Sequence, residues 1–126
     1  MRRLTVVYDP GCGLCREARD WLARQPRFVD LEFVEAASAL LRLRYPGVDP
    51  EETLRQLTVI GDDRAVYRDA KAWVMCLWAL RDHRALALRL ARPHLLPTAE
   101  RVFRFVSRNR RRISRFAPLV GAASSG

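Results

Sequence analysis

Within a dozen residues the chain changes from an extended pattern to a helical one, and a pair of cysteines sits at the change. Leu4-Thr5-Val6-Val7-Tyr8 is a β-branched and aromatic run, stopped by Asp9-Pro10-Gly11, and reads as a buried strand that ends in a turn. From Cys12-Gly13-Leu14-Cys15 onward, Leu14, Ala18, Trp21 and Leu22 recur at three- and four-residue spacing up to Pro26, as one face of a helix requires. Phe28 to Glu35 then reads as a second strand, with Val29, Leu31 and Phe33 alternating to one face. A helix linking two strands in this order predicts a β-α-β unit with parallel strands and a right-handed crossover.

The rest of the chain extends this unit. The spacing predicts a short helix over Ala36 to Arg44, then a loop through Pro46, Gly47 and Pro50. Leu57 to Ile60 and Ala65 to Tyr67 flank Gly61-Asp62-Asp63-Arg64, the composition of a hairpin turn. A long helix is expected from Ala70 to Ala91, buried at first through Trp73, Val74, Cys76, Leu77 and Leu80, and broken by Pro93 and Pro97. A last helix is expected over Thr98 to Phe116, with Thr98 as N-cap and an apolar stripe of Val102, Phe103, Val106, Ile113 and Phe116. The order β-α-β, helix, hairpin, helix predicts an α/β fold of thioredoxin-like type, its sheet flanked by helices and a basic C-terminal helix added. The expected layout is one domain over 1–118 and a flexible tail over 119–126.

Position gives the cysteine pair its meaning, because Cys-x-x-Cys after a strand and at a helix start is a redox arrangement. Residues three apart on a helix lie nearly above one another, so the two sulfurs can bond without rearranging the fold. The first turn of a helix carries unpaired amides and partial positive charge, which favour a thiolate; a cysteine there has its pKa lowered from about 8.5 to roughly 7 or below. Cys12, expected to be the more exposed sulfur, is the candidate nucleophile, and Cys15 the resolving thiol. Asp9 is the third candidate, either tuning the pair by its charge or capping local amides in the turn. Arg16 and Arg19 either favour the thiolate or are solvated helix residues, with Arg16 and Asp20 at the spacing of an ion pair.

Asp9-Pro10-Gly11-Cys12-Gly13-Leu14-Cys15 after a Val-Val-Tyr strand resembles the Asp-x-x-Cys-x-x-Cys signature of the DCC family of thiol-disulfide oxidoreductases. The hairpin at Val59-Ile60-Gly61-Asp62, the Ala- and Trp-rich helix, and the Asn109-Arg110 segment in an aromatic, basic helix are similar to that family as well, over residues 4–116. The resemblance implies a thioredoxin-like fold and thiol exchange with a protein or small-molecule thiol or disulfide. Where the family often has Gly after the aspartate and Pro after the first cysteine, this chain has Pro10 and Gly13. Thioredoxin-like enzymes usually place a cis-proline before the third strand to receive substrate backbone; Gln56-Leu57-Thr58 stands there without one, which argues against peptide binding in the usual way.

Other functions are less well supported. A zinc knuckle needs two further ligands, and only Cys76, His83 and His94 remain, without a second close-spaced pair. Cys76 reads as a core thiol, and the histidines as surface or packing residues. No bound cofactor is expected. The net charge of +9 lies wholly in residues 81–126, which hold 11 Arg against Asp82 and Glu100. That excess is a solvated face or a site for a membrane surface, a membrane protein or, less well, nucleic acid, since no aromatic strand face for bases is evident. A non-enzymatic adaptor presenting this helix is therefore the rival reading. Arg outnumbers Lys 22 to 1, which a GC-rich genome would produce without selection for binding. Three cysteines do not suggest a secreted disulfide scaffold, and no export signal is evident, so a cytoplasmic setting is expected.

Overall fold

The computed structural model describes residues 2–114. Phe116 and the expected tail lie outside the described residues, as do the side chains of Arg110, Arg111, Arg112 and Ile113. The elements in order are β1 (Arg3–Tyr8), α1 (Gly13–Arg24), β2 (Asp30–Glu35), α2 (Ala39–Arg44), α3 (Pro50–Arg55), β3 (Thr58–Gly61), β4 (Val66–Arg68), α4 (Ala70–Ala79), α5 (Arg84–Leu90) and α6 (Leu96–Ser114). The four strands form one mixed sheet in the order β2-β1-β3-β4. β1 runs parallel to β2, Leu4 opposite Leu31, and antiparallel to β3, Leu4 opposite Gly61.

Strand alternation divides the core between the two faces of the sheet. Leu4, Val6 and Val59 point to one face, where Leu22, Ala72, Cys76, Ala79 and Leu80 cover them from the helical side. Val7, Val34 and Ile60 point to the other, against Ala36 and Leu41. Val29, Leu31 and Phe33 all pack on the first cluster, as their alternation requires. The hairpin turn closes where its composition places it, with the Gly61 amide donating to the Ala65 carbonyl at 2.9 Å and Arg64 in the left-handed region at φ 69°.

Three elements differ from the sequence reading. The expected loop at Pro50 contains α3, which Asp49 caps by accepting the Glu51 amide, with Pro50 opening the helix and Glu51 and Glu52 in its first turn. That arrangement is a standard helix start, but six residues leave too little hydrophobic repeat to reveal it. The expected single helix over 70–91 is two helices. Leu80 turns extended and bridges Arg27; the Ala79 carbonyl accepts the Phe28 amide at 2.8 Å and the Arg81 amide donates to Pro26 at 3.0 Å. Those bonds replace helical ones, and they also keep Phe28 and Val29 out of β2. Finally, α6 begins at Leu96, so Pro97 lies in its first turn, where no amide is required, and Thr98 is inside the helix and not its cap. None of the described helices is long and apolar enough to cross a membrane.

A polar cluster joins β1, β2 and α2. Glu32 takes both guanidinium nitrogens of Arg44, one of them at 3.0 Å, and Thr5 bonds Tyr45 across 3.1 Å. The Arg44 guanidinium holds the Glu32 carboxyl below its ordinary 4.5. A carboxyl depressed by folding contributes stability above its unfolded pKa and loses it as pH falls through its folded value. Glu32→Gln should therefore cost about 0.5–1 kcal/mol at pH 7, given partial exposure of the pair. The difference from wild type should close below about pH 4.5, measured by urea unfolding at several pH values; an undiminished difference at pH 2.5 would overturn this assignment.

Candidate functional site

β1 carries the chain to its C-terminal end at Tyr8, and the turn that follows is held by its own polar groups. Asp9 Oδ1 accepts the Gly11 amide at 2.9 Å and the Asp9 carbonyl accepts the Cys12 amide at 3.2 Å. In these contacts Asp9 caps the turn. Arg16 reaches back to the Pro10 carbonyl at 2.7 Å, and its amide makes the first helical bond to the Cys12 carbonyl at 3.1 Å.

Cys12 is the N-cap of α1. Its backbone is extended, at φ −103° and ψ 117°, and its Sγ accepts the Cys15 amide at 3.4 Å. A sulfur here occupies the place a serine or aspartate oxygen takes in an ordinary cap, satisfying one of the orphan amides of the first turn. Cys15 lies one turn in, and the two thiols are close without a disulfide joining them. One expectation is reversed: Cys12 is the more buried of the pair, only 5% exposed, whereas Cys15 is half-buried. The cap explains this, since accepting an amide draws the side chain back over the helix end.

Beside Cys15 lies a small cavity of about 60 Å³, walled by Val6, Leu14 and Leu22, by Gln56 and Leu57, and by Trp73 and Val106. The segment before β3 thus lines the same cavity as Cys15. The Leu57 carbonyl is already taken by the Asp69 amide at 2.9 Å. Tyr8 also lines the cavity, its hydroxyl accepting from Arg19 at 2.8 Å while the guanidinium lies 4.8 Å over its ring. Arg19 also pairs with Asp20 at 2.8 Å, so the ion pair expected of Arg16 is made by its neighbour.

Sequence reasoning did not single out Tyr8, Gln56, Leu57, Trp73 or Val106 as site residues. Tyr8, directly before the turn, and Gln56-Leu57, at the position before the third strand, carried signals that could have found them. Of the remaining candidates, Cys76 is fully buried in α4, and burial pushes its thiol up to about 12. His83 packs edge-on against Trp21 at 5.0 Å, with its buried Nδ1 lacking a hydrogen-bond partner among the described residues, and His94 is exposed. Among the described residues no three His, Cys, Asp or Glu side chains gather as metal ligands. Of the apolar stripe expected on α6, Phe103 turns inward and stacks on Trp73 at 6.1 Å and Val106 lines the cavity, with Ala99 buried beside them, but Val102 is 54% exposed.

A β2-β1-β3-β4 mixed sheet with a Cys-x-x-Cys pair capping the helix after its central strand is a thioredoxin-like domain. The family model of the DCC1-like thiol-disulfide oxidoreductases matches residues 6–116, and the chain belongs to that family. No curated protein and no solved structure matches the chain.

The difference in burial between the cysteines has a direct consequence. With excess iodoacetamide at pH 8, labelling of the native, reduced protein should be confined to Cys12 and Cys15, with Cys76 modified only after unfolding. Peptide mass mapping reads this; native labelling of Cys76 at a rate comparable to the pair would contradict its place in the core.

Proposed function

We propose that the protein is a thiol-disulfide oxidoreductase in which Cys12 is the nucleophile and Cys15 the resolving thiol. The observation that carries this reading is the bond from the Cys15 amide to Cys12 Sγ. An amide at a helix N-terminus stabilises negative charge, so it holds the thiolate, the reactive form, better than the thiol. Cys12 is flanked by Gly11 and Gly13, so its two chain neighbours add no side chain beside the sulfur.

The exchange balances with the two cysteines alone. Cys12 thiolate attacks one sulfur of a substrate disulfide, forming a mixed disulfide and releasing one substrate thiolate. Cys15 loses its proton to solvent and attacks Cys12 Sγ, which closes the Cys12–Cys15 disulfide and releases the second substrate thiolate. Two electrons pass from the pair to the substrate, and the reverse sequence oxidises a dithiol. No bound cofactor is needed for either direction. Asp9 acts as a positioning residue: by fixing Gly11 it sets where the chain enters the helix and hence where Cys12 sits.

Cys15→Ser should accumulate a mixed disulfide with a model disulfide under conditions where wild type turns over, visible by non-reducing electrophoresis and intact mass. Accumulation in Cys12→Ser instead would reverse the two roles, and accumulation in neither would defeat the exchange reading. The rate of the first step should reach its midpoint at a pH below the value of about 8.5 for an ordinary thiol. A midpoint at the ordinary value would remove the cap as the source of reactivity.

A further inference from the structure

α6 brings more than Val106 to the neighbourhood of the dithiol. Val106 faces the cavity at Cys15, and Arg104 and Arg108, two residues to either side of it, are turned away from that cavity onto the neighbouring surface. Both arginines line an open groove with Glu52, Arg55, Gln56 and Asp69. Gln56 lines both this groove and the cavity beside Cys15, so the two adjoin at that residue. On its outer side the same pair of arginines borders a second groove with Arg101, Phe105 and Asn109, in which no acid takes part.

The charges in this region do not cancel. Glu52, one of the two acids in the first groove, pairs with Arg68 at 3.5 Å. The ion pairs found among the described residues take Arg3, Arg19, Arg44 and Arg68, and none takes Arg55, Arg101, Arg104 or Arg108. Phe105, 65% exposed among these arginines, adds an apolar contact. Ala99, Phe103 and Val106 already face the domain, so what α6 leaves outward is Arg101, Arg104 and Arg108 together with Val102 and Phe105.

We propose that these arginines select the substrate of the dithiol: a disulfide flanked by carboxylates, whose acidic groups lie along Arg55, Arg104 and Arg108 while its sulfurs meet the cysteine pair. The proposal rests on the exchange reading above and adds the charge of the substrate to it. Positive charge lining a cleft raises the encounter rate of an anion by about 10- to 1,000-fold and loses that effect with salt. Carboxylates at fixed distance from the disulfide also use the groove to orient it, while the carboxylates themselves remain chemically unchanged.

The test uses disulfide-linked dimers of Glu-Cys-Glu, Gln-Cys-Gln and Lys-Cys-Lys peptides, reacted once with the pre-reduced full chain at low salt. The Glu dimer should react about tenfold or more faster than the Gln dimer, and the Lys dimer slowest, with the spread shrinking at about 0.5 M salt. In R104Q/R108Q the Glu-to-Gln ratio should fall toward one, whereas Arg42→Gln, an equal loss of charge per site on the exposed face of α2, should leave it. Equal rates for the three dimers, or a ratio indifferent to R104Q/R108Q, would overturn the proposal. A small aromatic disulfide with and without carboxylates, run in parallel, tells whether charge alone suffices or a peptide is needed for the preference. Failure of exchange with every probe, the Gln dimer included, would instead count against the exchange reading. In that case the charge proposal is decided by binding of the unreactive Glu-Ser-Glu and Lys-Ser-Lys peptides, followed by tryptophan fluorescence. Tighter binding of the acidic peptide that R104Q/R108Q abolishes sustains it, and no difference overturns it.

Discussion

Everything at the site hangs from the pairing of β1 on both of its edges. Leu4 to Tyr8 are buried on both faces of the sheet, and a buried strand must have its amides and carbonyls bonded. β2 meets one edge and β3 the other. With both edges occupied, the strand cannot slip without moving Leu4 and Val6 off one core and Val7 off the other. The chain therefore leaves the sheet at Tyr8 in a fixed place and direction, and the Asp9 turn converts that direction into the first turn of α1.

In the exchange proposed for the pair, the cap at Cys12 couples reactivity to folding. The bond that favours the thiolate is also one that stabilises the start of the helix, so the reduced, ionised state gains from both. Closing a disulfide removes that charge from the helix end, and a pair whose reduced form is stabilised is correspondingly more oxidising. Cys76 shows the opposite case. It has the same side chain, set within α4 where solvent is excluded, and burial drives its thiol toward neutrality. Composition does not distinguish these cysteines; their positions relative to a helix terminus do.

Much of this could be read before any coordinates. The β-α-β unit, the hairpin at Gly61 to Arg64 and the cysteine pair at the helix start rest on local signals: a change of hydrophobic period, turn residues, and spacing by one helical turn. Local signals failed where distant segments competed for the same backbone groups. Nothing within residues 70–91 marks a break at Leu80, because the break is stabilised by hydrogen bonds to Pro26, Phe28 and Val29, some fifty residues earlier. The order of exposure of Cys12 and Cys15 was missed for a related reason, since it follows from the sulfur turning to accept an amide.

By itself the sequence determined where the cysteine pair stands in the fold, because that depends on residue type and on spacing along a strand, a turn and a helix. It also determined that α6 would be amphipathic and basic, since those properties are written in its own repeat. Only the tertiary structure decided what stands next to the dithiol. Gln56, Trp73 and Val106 come from three separate elements and converge on Cys15, and Arg104 and Arg108 arrive with Val106. Contacts between residues so far apart are set by the packing of α1, α4 and α6 on one face of the sheet, and no local pattern encodes them.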